Sequence, residues 1–304
     1  MSAPLDVAAT PLHDILARVE AALAAGADVV WLRVLDPDRG RGCATGERVD
    51  GAYHRPLRVW VELADRLGLR LRTPVALGDD RIAIGLERLG AAAPVPSDPR
   101  VRYAPGSEFA RLDKREEPGF LLDLADALAR ARLPPRPRVL ELGVNTGDAL
   151  VLARELRPEL ADAALVGVDH SAEALAVAAA RLGPAFTGVA IDLSALPAHD
   201  LGRFDLVLAI GTLQSPGVDD RALLRHVVQA RLTPTGAVII GVPNCRYRDG
   251  DLLHGARMRN FTQPELGLVV KDVAFYRKYL QQHDREVFVT GHHDLFVTGA
   301  ARPR

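Results

Sequence analysis

From residue 138 onward, short unbroken apolar runs alternate with helical stretches. "RVLEL", "ALVGVD", "FDLVLAI" and "AVIIGV" carry almost no polar interruption. A strand solvated on one face would alternate apolar and polar residues. A run that is apolar throughout fits a strand covered on both faces, as in a parallel sheet between helix layers. The pattern predicts strand 138–142, helix 147–156, strand 164–169, helix 171–182, strand 186–191, strand 204–210, helix 219–231, strand 236–242 and helix 263–282. A lead-in helix is predicted over 116–132. The final stretch, "REVFVTGHHDLFVTG", places two strands around a turn, which makes an antiparallel hairpin. The expected fold class is α/β: a doubly wound, mostly parallel seven-stranded sheet ending in an antiparallel hairpin.

The 304 residues exceed one ordinary domain of about 100–200 residues. The first ~90 residues have their own rhythm, α-β-α-β-β. Helical spacing over 12–25 stops at Gly26, and "DVVWLRVL" is β-rich. "PLRVWVELADRLG" reads as a helix with Pro56 at its start and Gly68 past its end, and two strands follow around "LGDD". "AAAPVPSDP", 91–99, is a proline-bearing linker. The expected domains are therefore a small α/β unit over 1–99 and the sheet domain over 100–304. The first would serve as substrate cap, partner module or homodimer contact.

Composition removes several classes. Net charge is −1, so no strongly basic balance points to nucleic acid. Only Lys114, Lys271 and Lys278 are lysines among 38 cationic residues, and acids match the arginines in number. Two cysteines, Cys43 and Cys245, are too few for a disulfide framework or a cysteine zinc cluster. No basic-then-apolar leader opens the chain, and no run of about 18 apolar residues occurs. The expectations are a cytoplasmic setting, no membrane and no metal.

In an open α/β sheet, ligands bind beyond the carboxyl ends of the strands. The first such end reads "ELGVNTG": Glu141, then Gly143, Asn145 and Gly147. The glycines let backbone approach a ligand, and the next helix presents free N–H groups at its start. Asn145 stands where a third glycine would complete the loop; asparagine tolerates left-handed backbone angles. The second strand ends at Asp169, placed to accept from ribose hydroxyls, and the third at Asp192, placed to accept from an exocyclic amine. Each acid alone could be a helix cap, as could Ser171. The nicotinamide fingerprint G-x-G-x-x-G is absent, and an acid two residues before the first glycine suits an amine better than a pyrophosphate.

"VLELGVNTG", "VGVDHSAEALAVAAARL", "AIDLSALP", "FDLVLAIGTLQ" and "LTPTGAVIIGVPN" together resemble the successive motifs of the class I S-adenosylmethionine-dependent methyltransferases, over about residues 116–299. Asn145 departs from that family's usual glycine. The resemblance implies S-adenosyl-L-methionine as cofactor and direct attack of an acceptor on its methyl group. It implies a cofactor set of Glu141, Gly143, Asn145, Gly147, Asp169, His170, Asp192, Leu193 and Ile210. Tyr103 and Phe109 are lid candidates by the same resemblance.

The substrate side is less legible. Gln214, Asn244, Tyr247 and His254 are its candidates, and no residue stands out as a catalytic base. "PNCRYRDGDLLHGARMRNF", 243–261, is long for a connection and interleaves Arg246, Arg248, Arg257 and Arg259 with Asp249, Asp251 and Phe261. It reads as an anion clamp or as a solvated loop. A small-molecule acceptor, methylated at O or N, is the main expectation; RNA held by this loop is the alternative, and a non-catalytic nucleoside-binding scaffold a third. Phe275 and Tyr279 share helical spacing and read as packing, with Tyr276 and His283 nearby. His292 and His293, read as strand neighbours, would face opposite ways and share no metal.

Overall fold

The computed structural model describes residues 3–40, 42–90, 107, 113–254 and 266–302; the side chains of 246, 253, 254 and 266–268 lie outside that description. The chain divides into two compact units, Met1–Ala93 with Tyr247–Leu253, and Pro94–Arg246 with His254–Arg304. The expected linker, 91–99, lies outside the described residues.

In the first unit the order is β1 (Leu5–Asp6), α1 (Leu12–Ala24), β2 (Val29–Leu35), the small hairpin β3 (Arg48–Val49) and β4 (Ala52–Tyr53), α2 (Leu57–Leu67), β5 (Leu69–Leu71), β6 (Val75–Gly78) and β7 (Arg81–Arg88). Strands run β1-β2-β7-β5, with β6 also on β7. Ile15, Val19, Leu32, Trp60, Ile84 and Leu86 close the core. The predicted α-β-α-β-β rhythm is present, with extra short strands where the sequence shows a polar loop. Gly68 caps α2 at φ 65°, the left-handed stop that glycine provides.

The second unit opens with α3 (Pro118–Arg130). There follow β8 (Arg138–Leu142), α4 (Asp148–Leu156), β9 (Ala164–Asp169), α5 (Ala172–Leu182), β10 (Phe186–Ala190), β11 (Phe204–Ile210), α6 (Asp220–His226) and β12 (Leu232–Pro243). The hairpin β13 (Cys245–Arg248) and β14 (Asp251–His254) comes next, then α7 (Leu266–Gln282), β15 (Arg285–Gly291) and β16 (Asp294–Ala301). The sheet order is β10-β9-β8-β11-β12-β16-β15. The first five strands are mutually parallel, and β16 runs antiparallel to both β12 and β15. This is the seven-stranded, Rossmann-like arrangement. One apolar layer gathers Phe120, Leu124, Leu150 and Leu175 on one face, and another gathers Leu140, Leu223, Tyr276 and Leu280 on the other. Strand order reverses between β8 and β11, so the loops after these two strands flank the cleft where such sheets bind ligands.

The predicted helix 219–231 ends differently. Helix α6 widens into a π turn over Val227–Arg231. Arg231 is buried, and its guanidinium donates to the carbonyls of Leu196 and His199, which pins the helix end beside the turn that follows β10. The segment 243–261 is not a plain loop in its described part. Asp249 and Gly250, with φ of 51° and 79°, turn β13 into β14, the backbone that an Asp-Gly hairpin prefers.

Candidate functional site

The site is built where β8, β9 and β10 end. Glu141, the penultimate residue of β8, is 3% exposed, and its Oε2 has no hydrogen-bond partner. Burial first, then the charges of Asp148 and Asp169, push its carboxyl well above the usual range, against a hydrogen bond from the Leu150 backbone N–H. A sealed, unpaired acid is costly unless a cation or proton meets it.

Beyond Glu141 the chain turns through three left-handed positions: Gly143 at φ 67°, Asn145 at 47° and Gly147 at 84°. At Gly143 the angle is not the only constraint. A Cβ there would lie 2.7 Å from Thr212 Oγ1, whose hydroxyl donates to the Leu142 carbonyl at 2.7 Å. Thr212 thereby ties the turn after β11 to the end of β8. Gly147 precedes α4, which has no side-chain cap; the Leu150 N–H of its first turn goes to Glu141, which leaves those of Asp148 and Ala149 uncapped by any side chain.

Asp169, 7% exposed, holds this loop in place. Its Oδ2 accepts the Asn145 N–H and its Oδ1 the Ser171 N–H, both at 2.9 Å. His170 Nδ1 stands 3.3 Å from Oδ1. Ser171 caps α5 by accepting from the Ala174 N–H. Asp192 is exposed at the end of β10, and its Oδ1 accepts from the backbone N–H and hydroxyl of Ser194 at 2.8 and 2.6 Å. These bonds, with a contribution from His170, hold the Asp192 carboxyl below its usual range. Leu193 starts the short turn after Asp192, and half-buried Ile210 ends β11. The nine cofactor-side candidates thus all belong to the ends of β8 to β11 or the turns that follow them.

The substrate-side candidates divide. Gln214 lies in the turn after β11 and donates from Nε2 to Tyr276 Oη at 3.3 Å; Tyr276 donates to Asp220 Oδ2 at 2.8 Å. Gln214 Oε1 is buried with no partner. Asn244, just past β12, donates from Nδ2 to the His292 carbonyl at 3.1 Å. Tyr247 belongs to the first unit and His254 ends β14; the His254 side chain lies outside the described residues. Tyr103, Phe109, Arg257, Arg259 and Phe261 also lie outside them. Within the first unit, Arg70 pairs with Asp251 at 2.8 Å and Asp249 at 3.2 Å, so the acids of the hairpin are already neutralised there. His292 and His293 sit in the bend between β15 and β16, not on a strand, and their rings lie 4.8 Å apart. Among the described residues no group of His, Cys, Asp and Glu has the geometry to hold a metal, and no helix is long and apolar enough to cross a membrane.

A charged cluster that sequence patterning missed borders β12 and β16. Asp294 is fully buried, neither carboxylate oxygen has a hydrogen bond, and Lys114 Nζ lies 3.6 Å away. Burial, with Asp294 beside it, pushes the Cys245 thiol up to about 12, and burial also raises the Glu117 carboxyl. The rarity of lysine was the available signal.

Residues 139–236 match the family model described as a methyltransferase domain. Trans-aconitate 2-methyltransferase of Streptomyces avermitilis is 36% identical over 135 residues, 42% of this chain and 45% of that protein. The match thus spans less than half the relative's length. Among solved structures, 1,6-didemethyltoxoflavin-N1-methyltransferase of Burkholderia thailandensis, with bound S-adenosylhomocysteine, is 19% identical, covering 76% of this chain and 100% of that one at a TM-score of 0.45. Precorrin-6y C5,15-methyltransferase of Geobacter metallireducens is 16% identical, covering 59% and 87% at a TM-score of 0.40.

Proposed function

We propose that this chain, which carries a class I S-adenosylmethionine-dependent methyltransferase domain, transfers a methyl group to oxygen or nitrogen of a small-molecule acceptor. The observation that carries the cofactor half is the rim itself. Three acids end three adjacent parallel strands, and the innermost, Glu141, keeps a buried oxygen without a partner. That acid suits the amino group of S-adenosylmethionine, and the open N–H groups at the start of α4 suit its carboxylate. Each carboxylate oxygen has two lone pairs. Asp169 therefore retains acceptor capacity for ribose hydroxyls while bracing Asn145, and both bonds from Ser194 to Asp192 fall on Oδ1, leaving Oδ2 to face the adenine amine. When bound, the cofactor supplies an electrophilic methyl group on a sulfonium. The protein's part is then alignment and exclusion of water, with little covalent work. Gln214, set by Tyr276, offers an acceptor oxygen on the acceptor side of the cleft.

A small acceptor is favoured over RNA by the balanced charge of the chain, which carries no strongly basic excess. Calorimetry with S-adenosylhomocysteine tests the cofactor. The unmutated chain should bind, and Asp169→Ala should weaken binding by about tenfold, ~1.4 kcal/mol for one charge-assisted pair. No binding by the unmutated chain ends the reading. Methyl-labelled cofactor turned over with cell extract tests the acceptor: label in low-mass material supports it, and label in RNA or protein replaces it.

A further inference from the structure

Among the described residues, the first unit contains a buried cation with no counter-ion. Arg55, between β4 and α2, is 5% exposed, yet no carboxylate lies within ion-pair distance among the described residues. Its one hydrogen bond runs from NH2 to the Thr10 carbonyl at 2.6 Å. Two rings flank it: the guanidinium carbon is 4.9 Å from the centre of Tyr53 and 5.6 Å from that of Trp60. Ring faces and one carbonyl soften the burial of a full positive charge but do not cancel it. Burial pulls the guanidinium below its usual range, against an opposing influence from Tyr53. Nε and NH1 make no hydrogen bond, yet they are not among the sealed polar atoms of this region; those are Trp60 Nε1 and His54 Nδ1. The unused edge of the guanidinium therefore reaches the surface.

Arg55 stands two residues before α2, an eleven-residue helix with no side-chain cap and no acid in its first turn. Pro56 has no N–H, so the first donors are those of Leu57 and Arg58, at the positive end of the helix dipole. Trp60, which Arg55 overlies, belongs to that same first turn. Arg58 belongs to that first turn as well, and Arg48 lies 4.2 Å from the Tyr53 ring centre and donates to the Tyr53 hydroxyl at 3.0 Å. A half-used planar fork and an uncapped helix start together make a receptor for an oxyanion.

We propose that the Arg55 edge and the start of α2 form a binding site for a small-molecule oxyanion, a phosphate ester or a carboxylate, in the N-terminal unit. This goes beyond the methyl-transfer reading and stands without it. A partly satisfied buried arginine gains more from such a ligand than a surface arginine does, because the charge is already removed from water.

The test uses the full chain and simple probes. Thermal unfolding is followed while inorganic phosphate, sodium acetate or sodium chloride is added at matched ionic strength. A saturable rise in Tm with phosphate or acetate, and not with chloride, is expected; the stronger of the two identifies the ligand's anionic group. Equal responses to all three salts overturn the proposal. Arg55→Met should weaken the specific response by at least about tenfold, the loss of one charge-assisted contact, with far-UV circular dichroism confirming its fold. Arg55→Lys, which keeps the charge and loses the fork, should fall between the two and serves if Arg55→Met does not fold. A variant that responds like the unmutated protein also overturns the assignment. Failure here leaves S-adenosylhomocysteine binding untouched, and failure of that binding leaves this titration unchanged.

Discussion

Glu141 makes a pH prediction that separates ligand contact from mere burial. Its carboxyl is raised above the ordinary glutamate range by burial, Asp148 and Asp169. Above that ordinary range the folded, ligand-free protein therefore holds a proton that the unfolded chain has released. Stability falls as pH climbs from the ordinary glutamate value through the folded one, with a limiting slope of about 1.4 kcal/mol per pH unit for one proton. An amine ligand reverses the preference, because the ammonium favours the carboxylate. Binding then releases up to one proton, and affinity for S-adenosylhomocysteine rises by up to about tenfold per pH unit until Glu141 is ionised in the free protein. Calorimetry between pH 5.5 and 8, in two buffers of different ionisation enthalpy, counts the protons directly. Glu141→Gln should release none, bind with flat pH dependence and lose about 1.5–3 kcal/mol at the upper end, the value of a charged hydrogen bond. Its ligand-free form should be the more stable one at pH 8, since a neutral amide replaces an unpaired acid. Equal proton counts for the variant and the unmutated chain would refute the placement of Glu141 against the ligand.

Gly143→Ala combines a left-handed backbone cost of about 1–2 kcal/mol with a contact at 2.7 Å to Thr212 Oγ1. Urea unfolding should show that loss or more, and adding Thr212→Ala should recover only the steric part; a fully additive pair would deny the contact. Cys245, buried and with its thiol pushed to about 12, should resist iodoacetamide at pH 8 in the native protein and react once urea unfolds it. Mass spectrometry of the peptide bearing Cys245 decides this, and fast native labelling would contradict the burial.

The parallel strands were legible because cover on both faces erases the polar alternation, and "VLEL", "LVGVD" and "DLVLAI" occupy β8, β9 and β11 as read. Features set by distant contacts were not legible. The π turn at Val227–Arg231 depends on carbonyls some thirty residues away, which no local periodicity reports. The histidine pair misled for a related reason: alternation holds only inside a strand, and His292 and His293 lie in the bend beside one. The Asp249–Gly250 turn, by contrast, carried a local signal that the charge of its neighbours obscured.

The acids make the sharpest case. Spacing suggests that Asp169 and Asp192 either cap the turns that follow or hold a ligand, as if these were rival roles. Asp192 bonds Ser194 and Asp169 bonds Ser171, so both local roles are realised. Yet Asp169 Oδ2 also reaches Asn145, across from the preceding strand end. That bond explains how asparagine serves where a glycine would be usual. The residue adopts φ 47°, an angle that asparagine tolerates, and the Asp169 carboxylate fixes its N–H. The acid expected to bind ribose is therefore also the brace of the loop expected to surround the cofactor. Loss of Asp169 should then disturb the neighbourhood of Glu141 as well, and Asp169→Ala should change the proton count of ligand binding along with its strength.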